Sequence, residues 1–443
     1  MTSFLGCVEP PVDAMVQGNC SLSAAVSARL NLRLMRDTDQ PLVIGLSGGG
    51  DSVALALMVE EWARTAARPL VFVTVDHALQ PQSRDWTRHC AELAERLGHR
   101  FLARVWTGRK PKTGLPAAAR GVRHRLLAEA ARELGASVIL LGHTGDDLLE
   151  SEAMRREGAT TPDAHEWAPS PVWPEGRGLF VLRPMLGIRR AALRDWLVER
   201  GETWIEDPAN GNLAYARARA RPSIDPGAKV VRFDPPALKL AAQATHRAGV
   251  ITLSRTALRE VSVPDAHRFV ALAGVSAGGG ARLPASARIN RAVQALRGEA
   301  IVKATLAGAR LEADDRDIHV FREAGEAARG GLMPITPEPG LSFIWDGRFE
   351  IAASFAGAEV RRLAGLVGRL PSAQRAELRS LPPAARSGLP ATLDVLGYAG
   401  CLTLTGQAES LVAARFAAAA GLIDREPKAG PALPTSDAEP PGR

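Results

Sequence analysis

From Pro41 to Gly142, short runs of aliphatic and β-branched residues alternate with longer amphipathic stretches. PLVIGL precedes a helical pattern from Asp51, PLVFVTV precedes one from Arg84 to Leu97, HRFLARVW precedes one from Pro116 to Leu134, and SVILLG ends at Gly142. Strands alternating with helices of this length predict βαβ units, since parallel neighbours need a long crossover. The expected fold is α/β, a doubly wound, Rossmann-like parallel sheet with helices on both faces. Beyond Arg221 the pattern changes. DPPALKL breaks the chain before a helical stretch expected over Ala237 to Val261, and from Ile301 the runs IVKATLAGARLEA, DIHVFREA and LSFIWDGRFEIAAS read as antiparallel strands of a smaller α+β portion. The expected divisions are an extension over 1–36, an α/β domain over 37–225, a helical linker over 226–300, the α+β domain over 301–424 and a proline-rich, disordered tail over 425–443.

The polar motifs fall where such a sheet binds its ligands, at the carboxyl ends of the strands. SGGGDS follows the first strand, Asp76 and His77 follow the second, and GHTGDD follows the fourth. Three consecutive glycines, Gly48, Gly49 and Gly50, let an anion approach backbone amides at the positive end of a helix, so phosphate is the natural ligand. The same stretch also reads as a plain glycine connection with Asp51 or Ser52 as helix cap. No Gly-Lys-Ser/Thr follows, which excludes a Walker loop.

Charge adds a partner class. The chain carries 55 Lys and Arg against 48 Asp and Glu, a formal net charge of +7 with pI about 9.7, which suits a polyanion such as nucleic acid. Cys7, Cys20, Cys90 and Cys401 are scattered without a CxxC pair, so neither a zinc knuckle nor a disulfide framework is expected. No uncharged run approaches the roughly 20 residues of a membrane span. A cytoplasmic protein without membrane contact is expected.

SGGGDS after a buried strand resembles the pyrophosphate-binding loop of the N-type ATP pyrophosphatases, whose fold is the adenine nucleotide alpha hydrolase type. Later segments narrow the resemblance to the tRNA(Ile)-lysidine synthases. VTVDHALQPQSRDW is similar to their Val-Asp-His segment, LPAAARGVRHRLLAEAARELG to their Ala-Arg-x-x-Arg-Tyr helix with His124 for tyrosine, and LGHTGDDLLES to their His-x-x-Asp-Asp-x-x-Glu-Thr stretch. LRPML and WIEDPANGNLAYARARAR match two further segments. The six motifs cover about residues 40 to 222.

The resemblance implies a ligase. It would use ATP with Mg²⁺ to adenylate the C2 oxygen of the wobble cytidine in the CAU anticodon of tRNA(Ile), after which free L-lysine displaces AMP. Ser47, Gly48, Gly49, Gly50, Asp51, Ser52, Asp76 and His77 would bind ATP, with Asp51 beside Mg²⁺. Arg120 or Arg123 would hold the α phosphate, and His143 would face the adenylate as donor or proton carrier. Asp147 and Glu150, three apart on one helix face, would orient the lysine ammonium or Mg²⁺; they also read as carboxylates that complement a helix N-terminus. Arg217, Arg219 and Arg221, beside Tyr215, would face RNA, and the same alternation of Arg and Ala also reads as a solvated helix face. A proline turn at Pro208 leaves Glu206 and Asp207 open between site and structure. The region after 226 would contact the tRNA, and monomer and homodimer both stay open.

Two departures from the family pattern stand out. Ala218 replaces an asparagine in the arginine cluster, and AMRREGATTPD after Glu150 keeps Arg155 and Arg156 but one glycine. A tRNA thiolase is the rival within the superfamily, and it would need reactive or cluster-holding cysteines that these motifs lack. An amidotransferase ligase would need a second nucleophile domain, and a non-catalytic RNA-binding protein would not need these motif residues.

Overall fold

The computed structural model describes residues 19–159, 164–207, 219–225, 227–230, 234–326, 332–338, 340–352, 359–394 and 396–428. The chain forms two compact units. The first comprises Met1–Pro171, Leu179–Asp234 and Asp424–Arg443, and the second Val172–Gly178 and Pro235–Ile423.

The first unit is the expected α/β layer structure. In chain order it contains α1 (Asn19–Arg33), β1 (Leu42–Gly45), α2 (Gly50–Ala66), β2 (Leu70–Asp76), α3 (Ser83–Arg96), β3 (Arg100–Val105) and α4 (Leu115–Glu133). β4 (Val138–Leu141), α5 (Gly145–Arg156), β5 (Trp167–Pro169), β6 (Phe180–Leu182) and α6 (Arg190–Glu199) follow. The sheet order is β3-β2-β1-β4-β6-β5. Every pairing is parallel except β5 with β6. Leu42, Val43 and Ile44 of β1 have no exposed surface, as continuous apolar runs must when helices cover both faces. β1 pairs with β2 on one side and β4 on the other. The chain therefore reverses direction across the sheet at β1, which opens a crevice at the carboxyl ends of these strands.

Two segments far apart in sequence, α1 and the stretch around Glu426, join this core. Leu22, Val26 and Leu30, spaced four apart on α1, are buried in the cluster that holds β1 and α2. Glu426 is buried as well, and Arg68 grips it in a bidentate pair with both N–O distances 2.9 Å. The Met35 amide donates to the same carboxylate at 2.8 Å. The disordered tail expected over 425–443 is corrected at 425–428, where a single carboxylate meeting a buried guanidinium fixes the segment, and 429–443 lie outside the described residues.

The second unit is antiparallel. Its main sheet runs β7 (Thr245–Arg247), β8 (Val250–Ser254), β11 (Asp317–Arg322), β10 (Ala309–Ala313), β9 (Val302–Leu306), backed by helices Val263–Gly278 and Ser286–Arg297. The helical stretch expected over Ala237 to Val261 is corrected by β7 and β8. Ala248 and Gly249 adopt φ of 46° and 79°, the two left-handed residues of a tight hairpin. The alternation of VITLS then places β8 against β11, leaving a 3-10 turn over Lys239–Gln243 and an α-helix over Arg255–Glu260. Cys90 and Cys401 are buried free thiols. Among the described residues no helix is long and apolar enough to cross a membrane.

Removing one partner of a buried pair leaves the other charge uncompensated, at a cost of about 3–5 kcal/mol. Glu426→Ala is expected to destabilise the first unit by about that amount in urea unfolding, and Glu426→Gln by less. An unchanged midpoint for Glu426→Ala would show that Arg68 needs no partner.

Candidate active site

The crevice is a cleft of about 480 Å³ at the carboxyl ends of β1, β2 and β4. Its floor is the glycine turn. Gly48 has φ +81°, open to glycine without strain, and a Cβ there would lie 2.4 Å from Ile205 Cδ1. The Ile205 amide donates to the Gly48 carbonyl at 2.8 Å, so the segment Trp204–Glu206 seals the turn from one side. Ser52 braces the other: its hydroxyl accepts from the Ser47 amide at 3.2 Å and donates to the Gly49 carbonyl at 2.8 Å. The amides at the start of α2 are thereby held in a shallow nest suited to phosphate oxygens. Close packing continues behind it, where a Cβ on Gly142 would meet the Asp51 carbonyl at 2.8 Å.

One guanidinium organises the charges. Arg190, the first residue of α6, donates from Nε to Asp51 Oδ2 at 2.9 Å and from Nη1 to Glu150 Oε1 at 3.0 Å, with Asp147 Oδ2 3.7 Å from Nη2. Arg221 Nε donates to the same Glu150 oxygen at 2.8 Å. Burial raises the Asp51 pKa and the Asp147 charge adds to it, against the pull of Arg190. For Arg190 burial works downward, and the three carboxylates outweigh it so that its pKa is raised.

Around His143 the field is positive. Arg183 Nε donates to His143 Nδ1 at 3.2 Å and its Nη1 to the His165 carbonyl at 2.8 Å. Burial, then Arg123 and Arg120, lower the Arg183 pKa to about 10. A neutral ring that accepts at Nδ1 carries its proton on Nε2. His124 is buried, and desolvation followed by Arg123, Arg183 and Arg120 pushes its pKa down to about 2, so it is an uncharged packing residue. His77 is lowered by burial and by Arg123.

The expected residues largely converge. Ser47, Gly49, Gly50, Asp51, Ser52, Asp76, His77, Arg123, His143, Asp147 and Arg221 line the cleft, with Gly48 at its base. Arg120 and Glu150 are not on its wall. Glu150 has no exposed surface and lies behind Arg190 and Arg221. Asp147 and Thr144 form a reciprocal cap of α5, and Thr144 is buried in that role. Asp76 accepts from the Ala78 amide at 2.7 Å, closing its turn. Glu206 accepts from Trp204 Nε1 at 2.7 Å and from Arg194 at 2.9 Å; Asp207 accepts from Gln80 at 3.2 Å. Arg219 is exposed, and Arg217, Tyr215, Pro208 and Ala218 lie outside the described residues. Sequence reasoning missed Arg190 and Arg194, and it singled out LRPML without giving its Arg183 a role. A signal existed for Arg190: an arginine at a helix N-terminus opposes the helix dipole and asks for carboxylate neighbours.

Residues 22–228 match the family model of the PP-loop domain. The chain is 48% identical over 413 residues to a tRNA(Ile)-lysidine synthase from Caulobacter vibrioides, covering 90% of this chain and 98% of that protein. It is 33% identical over 362 residues to a tRNA(Ile)-lysidine synthase from Rhizobium meliloti, covering 75% of this chain and 77% of that one. Among solved structures, the U34-tRNA thiolase NcsA from Methanococcus maripaludis is similar with TM-score 0.38 and 16% identity, over 46% of this chain and 72% of that chain.

Gly48→Ala must carry a left-handed non-glycine residue, costing about 1–2 kcal/mol, and crowd Ile205, costing about 1–3 kcal/mol more. It is expected to lower both stability and ATP affinity. Adding Ile205→Ala should recover the crowding part only, measured by a double-mutant cycle in urea. Full recovery would mean that the backbone conformation carries no cost.

Proposed function

The chain belongs to the tRNA(Ile)-lysidine synthase family, and on that premise we propose how its cleft runs the reaction. The C2 oxygen of the wobble cytidine in the CAU anticodon of tRNA(Ile) attacks the α phosphorus of ATP. The bond to the bridging oxygen of the β phosphate breaks and pyrophosphate leaves. The ε-amine of free L-lysine then attacks C2, loses a proton, and AMP departs with the former C2 oxygen. The product is a ligase's C–N bond, lysidine, made in the cytoplasm where tRNA and ATP meet.

The observation that carries this reading is the meeting of the glycine nest with cationic side chains on one cleft wall. Both steps develop charge on phosphate oxygens, and amides and guanidiniums fixed in advance stabilise that charge without reorganising. The amides of Gly49 and Gly50 suit the β and γ phosphates. Arg123 lines the cleft while Arg120 does not, which favours Arg123 for the α phosphate. His143, protonated on Nε2, is a neutral donor toward the adenylated oxygen or the cytidine edge. Asp147, on the wall and beside Asp51, suits the lysine ammonium.

Among the described residues no group of three His, Cys, Asp or Glu is arranged to hold a metal ion. Mg²⁺ in phosphate sites takes one or two carboxylates and completes its shell with phosphate oxygens and water, and Asp51 on the cleft wall fits that pattern. When bound, the ion would neutralise charge on the phosphates.

Arg219 and Arg221 follow the segment that seals the glycine turn, a position suited to the anticodon backbone. A lost phosphate contact lowers the salt slope of binding by about one unit. Arg219→Gln is expected to weaken tRNA binding and flatten its salt dependence by that amount, with ATP affinity unchanged. A wild-type slope would return Arg219 to the solvated face of a helix. The reaction itself is tested by release of AMP from ATP. Release should require both tRNA(Ile) and lysine, and AMP formed equally well without lysine would contradict the proposal.

A further inference from the structure

Glu150 is the residue whose position differs most from its expected use. A carboxylate meant for the lysine ammonium should reach the cleft, yet Glu150 is wholly buried and two guanidiniums stand on its Oε1. Those guanidiniums do line the cleft. Arg190 engages Asp51 and Glu150 through two N–H groups, with Asp147 standing off at 3.7 Å. A guanidinium has five such donors, so others remain for a ligand. Its ion pair with Asp51 holds it against the first turn of α2, whose amides suit the β and γ phosphates. Arg194, one turn along α6, also lines the cleft.

We propose that Arg190 is a catalytic residue of the adenylation step, gripping the departing pyrophosphate, and that Glu150 and Asp51 are the groups that aim it. This rests on the reading of the cleft given above. A planar fork held by carboxylates on two helices is fixed before ATP arrives, and a preset cation is what a phosphoryl transition state requires. Glu150 then acts through Arg190 and is a positioning residue. Its Oε2 is buried without a hydrogen-bond partner among the described residues, and lysine bound there is the rival arrangement.

The test compares Arg190→Gln, Arg190→Lys and Glu150→Gln in the full chain with tRNA(Ile), ATP and lysine. Arg190→Gln is expected to slow pyrophosphate release about 10²–10³-fold. It should also raise the inhibition constant of added inorganic pyrophosphate at least about tenfold, with partial rescue by guanidinium ion, while the KM for lysine stays within about twofold. Arg190→Lys, which keeps the charge and loses the fork, should fall between Arg190→Gln and wild type, and it decides the matter if Arg190→Gln does not fold. Glu150→Gln should reproduce the pyrophosphate effects in weaker form. Normal pyrophosphate release and inhibition in the folded Arg190 variants, or a Glu150→Gln whose defect is confined to the lysine KM, would overturn the proposal. Wild-type enzyme that forms no lysidine would overturn the reading of the cleft instead, so the two failures are distinct.

Discussion

Three helix N-termini meet at one guanidinium. Asp51 is the second residue of α2, Asp147 the third of α5 and Arg190 the first of α6. Each helix turns its positive end toward the same space. Left alone, those ends and the surrounding arginines would repel one another. Asp51 and Glu150 offset that repulsion by binding Arg190, and Asp146 does the same for Arg189, holding it through two 3.2 Å bonds while accepting from the Arg190 amide at 2.6 Å. Burial works against the Asp146 charge, and these bonds outweigh it, so its pKa is lowered. The result is a site positive enough for a triphosphate that still folds in its absence.

The rest of the first unit serves that convergence. The reversal of strand order at β1 opens the crevice, the positive φ of Gly48 lets the chain turn into α2 beneath it, and Ile205 closes the turn. The cations are graded by depth. Arg183 is deep enough for its pKa to fall to about 10 and fixes the tautomer of His143, while Arg123, Arg190 and Arg221 reach the cleft.

Much of this was readable in the residues. The βαβ rhythm of 41–142 placed the strands and the ends that carry SGGGDS, Asp76-His77 and GHTGDD, because helix and strand periods differ and parallel sheets leave continuous apolar runs. What escaped was set by contacts distant in sequence. Glu150 read as a carboxylate that reaches the lysine ammonium or Mg²⁺, because spacing reveals the face of a helix but not what packs on it, and its partners lie 40 and 71 residues away. Arg190 and Arg194 carry no motif of their own, so they stood out only once α6 lay beside α2 and α5, while Arg183 sat within LRPML, whose pattern did not reveal that it meets His143 40 residues away. The strand of VITLS was hidden within a stretch rich in alanine and leucine, where the left-handed pair Ala248-Gly249 decides for a hairpin.

The claim that this cleft joins lysine to a tRNA base is tested most directly by the mass of the product. tRNA(Ile) bearing a CAU anticodon, incubated with the protein, ATP and isotopically labelled lysine, then digested to nucleosides, should yield a cytidine heavier by one lysine less one water, with the label retained. Unmodified cytidine accompanied by continued ATP cleavage would contradict the account and point to another acceptor for the adenylate.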